Sequence, residues 1–389
     1  MNYYLWQPWF PPFFFTNIVR NNILANEHDM LIKMEKRLSS LFNKDVIIFP
    51  SGTSAIISAL DVLLQKNEGE IIVSSLVCES VIEAIYHAGK SPVFLDVDSK
   101  NYTMDLSKLE AAITSSTQAI IAVHQFGYPI NMKEINEFAN KHNLIVIEDA
   151  AQSLGAKITG GLTGTFGDVG ILSFNNKVID TCGGGAIIVN NSIFKNQILN
   201  YRNRNFILTR TGFSRLFLRS FLLSNFPYLA TTLSGRVNKE SVYPRNNKIF
   251  LISLMMLNEI LPYLEWIINS KKCNYETYNA YLNDVYLCKP DYLLTNSLPS
   301  YTYYNIVLNL GIGEIRDLVL NRLESQGLFV ASLVNRPINI NNDEMVPISE
   351  CLYSCSITLP TGPNYTTKDI ISISTIVNDV LSMMGNKAS

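Results

Sequence analysis

Short apolar runs alternate with helical stretches from Asp45 to Asp149, and this alternation constrains the fold more than any other feature of the chain. Strand-like runs occupy Asp45 to Phe49, Glu70 to Ser74, Pro92 to Asp96, Ala119 to His124 and Leu144 to Ile147. Between them lie helical patterns at Ala55 to Leu64, Cys78 to Ala88, Leu106 to Ile113 and Asn131 to His142, and another, His28 to Phe42, precedes the first strand. Strand and helix in strict turn predict a mainly parallel sheet with right-handed crossovers. In such a sheet ligands gather at the carboxyl ends of the strands, so the residues just past each strand are where chemistry is sought.

Three of those positions carry useful groups. Ser51-Gly52-Thr53 follows the first strand and opens a helix, where free N–H groups and the helix dipole favour an anion; read alone, it is an ordinary N-cap. Asp149 follows the fifth strand, where an isolated aspartate most often closes a turn. Lys177 lies in VGILSFNNKVIDTCGGGAIIVN, Val169 to Asn190, which reads as strand, loop and strand with Gly183, Gly184 and Gly185 before the second strand. A lysine held between buried strands loses hydration, which lowers its pKa and frees the amine for Schiff-base chemistry. A carboxylate for a pyridinium N–H, a helix N-terminus for a phosphate and an amine for an aldehyde together match pyridoxal 5′-phosphate.

The residues also carry a family resemblance. The segments are Ser51-Gly52-Thr53-Ser54-Ala55, Gly89 to Asp98, Val123-His124-Gln125-Phe126-Gly127, Glu148 to Ala156, Gly164-Thr165-Phe166-Gly167-Asp168, and Ser173-Phe174 with Lys177 and its glycines. In order and spacing the chain resembles the DegT-type sugar aminotransferases of the fold type I pyridoxal-phosphate superfamily. The likeness resumes at Arg316-Asp317 and Leu359-Pro360 and weakens between about 203 and 250. It implies an α/β fold with a mainly parallel seven-stranded sheet between helices and a smaller C-terminal α+β domain. The expected division is an arm over 1–25, a large cofactor-binding domain over 26–250 and a small domain over 251–389. By resemblance Lys177 binds the cofactor as an imine, Asp149 pairs with its ring nitrogen, Gln152 lies near its ring hydroxyl, and Gly52, Thr53 and Ser173 hold its phosphate. Cys78 stands where the family usually stacks an aromatic ring. The loop from Ser173 to Lys177 is one residue shorter than usual, and the family's partner-subunit asparagine has no clear match within Phe213 to Val242. A lysine at 177, rather than the histidine of a related dehydratase, implies transamination. The expected reaction moves nitrogen from glutamate to a nucleotide-linked keto-sugar for glycan synthesis, in a homodimer with the active site at the interface.

Composition excludes other classes. The 389 residues carry 31 basic and 33 acidic side chains, a net charge of −2, so nothing points to nucleic acid. Cys78, Cys182, Cys273, Cys288, Cys351 and Cys355 have no framework spacing, and with four histidines no metal centre is expected. Free thiols and the lack of a secretory signal at Met1 to Phe15 favour the cytoplasm. Phe213 to Leu233 and Phe250 to Ile268 are apolar, but each is interrupted by charges and a proline, short of the ~20 apolar residues of a membrane span. Two rivals stand beside the enzyme: a catalytically impaired binding or regulatory protein of the same fold, motivated by Cys78 and the short loop, and a membrane-surface assembly protein, motivated by the aromatic and apolar stretches.

Overall fold

The computed structural model describes residues 10–11, 14–24, 26–64, 68–175, 177–210, 247–282, 302, 306–326, 328, 331–332 and 346–385. The apolar stretch 213–233 and the region 213–242 expected to supply a partner asparagine lie outside them. The large domain runs α1 (Phe14–Leu24), α2 (Glu27–Phe42), β1 (Asp45–Phe49), α3 (Gly52–Leu63), β2 (Glu70–Ser74), α4 (Glu79–His87) and β3 (Ser91–Leu95). It continues through α5 (Leu109–Ala112), β4 (Thr117–Val123), α6 (Met132–His142), β5 (Ile145–Asp149), a two-strand ribbon of β6 (Lys157–Ile158) and β7 (Gly161–Leu162), β8 (Val169–Ser173), β9 (Gly185–Val189) and α7 (Lys195–Asn205). A short parallel pair, β10 (Ile207–Thr209) and β11 (Lys248–Phe250), leads into the helices Leu251–Ile260 and Leu264–Tyr281.

Seven strands form the central sheet in the order β1-β9-β8-β5-β4-β2-β3. β9 runs antiparallel to β1 and β8; the β8–β5, β5–β4, β4–β2 and β2–β3 pairs are parallel. The strands are buried on both faces, which is why they read as continuous apolar runs. Ile71, Val73, Ile121, Ile147, Ile171 and Ile187 meet α3, α4 and α7 on one face. Ile120, Ala122 and Val146 meet α6 on the other, while Leu172, Ala186 and Ile188 meet α1, α2 and the helix Leu251–Ile260 there.

Within the arm expected over 1–25, the described residues Phe14–Leu24 form the helix α1. Its asparagines disfavour helix by roughly 0.5–0.7 kcal/mol each relative to alanine. Phe14 and Ile18 are 2% and 0% exposed against the helix Leu251–Ile260. Burial contributes roughly 1.5–3 kcal/mol apiece, so packing outweighs propensity. Since α1, α2 and Leu251–Ile260 share one core, we place the division between domains within Leu264–Tyr281 rather than at residue 250, and count α1 with the large domain. That helical pair is also the one described stretch long and apolar enough to cross a membrane by length and composition. Pro262 breaks it into two helices, and the residues Leu251 to Leu257 are all buried in the protein core.

The C-terminal domain adds an antiparallel sheet, β12 (Ile306–Asn309), β14 (Ser356–Leu359) and β13 (Ala331–Ser332), with β14 central. The helices Gly313–Ser325, Pro347–Cys355 and Thr367–Gly385 complete it. Its core joins Val307, Val319, Leu352, Ile357 and Ile373 to Leu76, Val97, Phe126 and Tyr128 of the large domain.

Gly170, in the middle of β8, shows how closely the loop after β7 lies on the sheet. A Cβ there would stand 2.0 Å from the Gly164 carbonyl oxygen, a backbone atom that cannot swing aside. Gly170→Ala is expected to lose at least about 3 kcal/mol in urea unfolding, at the upper end of overpacking costs; a loss below about 1 kcal/mol would show that the loop yields.

Candidate active site

The first element of the site is the start of α3. Ser51 is extended (φ −162°) and its Oγ accepts the Ser54 N–H at 3.0 Å, which fixes where the helix begins. Ser51 also pairs with Gly184, whose N–H donates to the Pro50 carbonyl at 2.7 Å. A Cβ on Gly52 would lie 3.0 Å from Ser173 Cβ and 3.4 Å from its Oγ, so the helix start and the end of β8 touch. A Cβ on Gly185 would come within 2.4 Å of the Gly52 nitrogen, so this approach requires glycine. The Thr53 N–H makes no hydrogen bond among the described residues. A twelve-residue helix thus presents an open N–H and the positive end of its dipole beside the Ser173 hydroxyl.

The second element is the end of β5. Asp149 is its last residue and is 5% exposed. Oδ1 accepts the Ala151 N–H at 2.9 Å, and Oδ2 makes no hydrogen bond among the described residues. Burial pushes this carboxyl above the ordinary carboxylate range, opposed by the Ala151 N–H and by the nearby charge of Lys177. The neighbouring Glu148 is fully buried and saturated. Its Oε1 accepts the Gly164 N–H (2.6 Å), and its Oε2 accepts those of Phe166 (2.7 Å) and Gly167 (3.0 Å). Ile130 N–H donates to His124 Nδ1 at 3.1 Å, so His124 Nε2 carries the proton and donates to Glu148 Oε1 at 2.8 Å. The His124 backbone N–H donates to the Asp149 carbonyl at 3.1 Å. Glu148 and His124 therefore fix the strand end from which Asp149 projects. In the sequence, the one mark of this task is the pair of adjacent acids at a strand end, which must alternate in direction.

The third element is the loop between β8 and β9. Phe174 N–H donates to the Gly184 carbonyl, Thr181 N–H to the Phe174 carbonyl, and Lys177 N–H to the Ile179 carbonyl at 3.1 Å. Cys182 (φ +57°), Gly183 (φ +145°) and Gly184 (φ +89°) reverse the chain. These backbone bonds hold the described part of the loop on either side of residue 176. Lys177 is partly buried and its charge acts on Asp149.

The remaining expected residues attach differently. Gln152 is 9% exposed; its Oε1 accepts the Phe126 N–H at 2.7 Å, and its carbonyl accepts the Thr302 hydroxyl at 2.6 Å. Cys78 caps α4 by position only, and its Sγ accepts the Ser80 hydroxyl at 3.1 Å. It joins the group through the packing of α4 on α3, not through a polar contact. Among the described residues no group of histidine, cysteine, aspartate and glutamate could hold a metal.

The chain is similar in sequence and fold to known proteins. GDP-perosamine synthase of Escherichia coli O157:H7 is 37% identical over 161 residues, which cover 41% of this chain and 44% of that protein. GDP-perosamine synthase of Caulobacter vibrioides is 28% identical over 358 residues, 90% of each chain. The solved structure of Helicobacter pylori PseC, an aminotransferase involved in the biosynthesis of pseudoaminic acid, superposes with a TM-score of 0.77 at 17% identity, covering 98% of this chain and 100% of that one. A family model matches residues 15–378, nearly the whole chain. The chain belongs to the DegT/DnrJ/EryC1/StrS aminotransferase family.

Proposed function

We propose that this protein transfers an amino group from glutamate to a nucleotide-linked keto-sugar, for the synthesis of a surface polysaccharide or related glycan. The family depends on pyridoxal 5′-phosphate. The observation that carries the proposal is the buried Asp149, with one carboxylate oxygen unclaimed among the described residues, standing in the field of Lys177 beside a helix start that meets Ser173. This donor set fits the cofactor: Thr53 N–H, Gly52 and the Ser173 hydroxyl would hold its phosphate, and Asp149 Oδ2 its protonated ring nitrogen. Gln152 Oε1 is already taken by Phe126, so its amide nitrogen is the end left for the ring hydroxyl. Cys78 would line one side. When bound, the cofactor supplies an electron sink for a carbon that loses a proton.

The chain's own residues do the rest. Lys177 Nζ would anchor the cofactor and then act as the base that takes a proton from the amino-bearing carbon of the donor. For that it must be neutral. Asp149 must stay ionised, so its buried charge, eased in the free protein by the Ala151 N–H and Lys177, would be offset further by a cation placed against Oδ2. Relatives are named for GDP-, UDP- and dTDP-linked sugars, which supports a nucleotide-linked substrate without choosing the base. A second copy of the chain would complete the site, and the free thiols among the described residues suit the cytoplasm.

Two outcomes test this. Borohydride reduction after loading with pyridoxal 5′-phosphate is expected to fix the label on the peptide holding Lys177, and Lys177→Ala to abolish it; label on another lysine in the unaltered protein would refute the assignment. In cofactor-free protein the raised Asp149 pKa means stability present at low pH and lost as pH rises through that pKa. Asp149→Asn is therefore expected to melt higher than the unaltered protein at neutral pH, with the advantage gone near about pH 4, while binding the cofactor more weakly. A lower melting temperature at neutral pH would contradict the burial argument.

A further inference from the structure

Outside the candidate site, one carboxylate joins the two domains. Asp96 follows β3 and is 1% exposed. Its Oδ2 accepts the Ile348 N–H at 2.9 Å. Its Oδ1 accepts the Ser349 N–H at 3.0 Å, the Ser349 hydroxyl at 2.7 Å and the Val97 N–H at 2.8 Å. Ile348 and Ser349 lie in the first turn of the helix Pro347–Cys355. The residue that should cap this helix, Val346, has no acceptor, and Pro347 follows it. The cap is thus supplied from 252 residues away, by an anion at the positive end of the helix. Ser75, just past β2, strengthens the joint: its Oγ lies 2.8 Å from Ser349 Oγ, and its N–H donates to the Leu95 carbonyl at 2.8 Å.

The joint bears on the candidate site through the next three residues. Leu76 packs in the C-terminal core with Leu352 and Phe126. Val77 packs in the large-domain core with Ala55 and Ile56, in the first two turns of α3. Cys78 then opens α4. The segment Ser75 to Cys78 is therefore held at one end by Asp96 and Ser349 and rests at the other on the helix whose start forms the anion cradle.

We propose that Asp96 is a positioning residue, the remote N-cap that seats the C-terminal domain and the Ser75–Cys78 segment against the candidate site. The proposal rests on the aminotransferase reading for its kinetic consequence. The cap itself does not depend on that reading. Removing an anion that takes three hydrogen bonds from the C-terminal domain should free that domain without touching Lys177, Asp149 or the α3 start.

The test uses the full-length protein, Asp96→Ala and the milder Ser349→Ala. Hydrogen exchange at the Ile348 and Ser349 amides is expected to quicken at least about tenfold in Asp96→Ala, as loss of a charged hydrogen-bond acceptor implies, with α3 unchanged. In cofactor-loaded protein the glutamate concentration that half-saturates the spectral half-reaction should rise about tenfold, the limiting rate should stay within about threefold, and borohydride should still label Lys177. Ser349→Ala should shift both readouts in the same direction by less, which separates docking from misfolding. Unchanged exchange at Ile348 and Ser349, or a fall in the limiting rate with unchanged half-saturation, would overturn the proposal. A protein that never labels at Lys177 would instead count against the aminotransferase reading, and the exchange result would still decide whether Asp96 docks the domain.

Discussion

A carboxylate buried to 5% exposure with a single protein N–H on it is an expensive object, and the architecture around Asp149 is organised to hold it there. Its strand is central in the sheet, its carbonyl is bonded by His124, and the preceding residue, Glu148, is clamped by three backbone N–H groups and a histidine. These interactions stop the strand end from rotating Asp149 towards water. The charge that most lightens the cost is Lys177, which arrives on the loop between β8 and β9. Burial without full pairing is what a structural aspartate avoids and what a site awaiting a cationic ring requires.

The sheet order explains how distant residues meet. β8 lies beside β5, so Ser173 and Asp149 end on neighbouring strands, and β9 separates β8 from β1, which leads into α3. The glycines at 184 and 185 let that antiparallel insertion approach the helix start without a side chain between them. The cradle, the carboxylate and the amine thus come from the loops that follow β1, β5 and β8, at one end of the sheet. The C-terminal domain reaches the same end through Thr302 on Gln152 and through Asp96 on the helix Pro347–Cys355.

Much of this was legible in the residues. The alternation from Asp45 to Asp149 fixed the parallel strands to within a few residues, because doubly buried strands are apolar throughout and helices between them keep their period. The motifs singled out Gly52, Asp149, Ser173 and Lys177, since glycine, strand-end acid and loop lysine each need a local backbone setting that leaves a mark in sequence. What escaped depends on tertiary packing. The helix α1 is held by contacts with Leu251–Ile260, and its asparagines gave no local sign of it. The helix Leu251–Ile260 belongs to the large domain only because α2 and the sheet cover it. Asp96, Ser75 and Ser349 are ordinary polar residues in sequence; their joint exists only once the domains meet.

The most direct measurement is a crystal structure of the protein grown with pyridoxal 5′-phosphate. The account predicts phosphate density against the Thr53 N–H and Ser173, the ring nitrogen within hydrogen-bond distance of Asp149, and density continuous with Lys177 Nζ. A cofactor bound elsewhere, or Lys177 turned away with Asp149 facing only water, would contradict it.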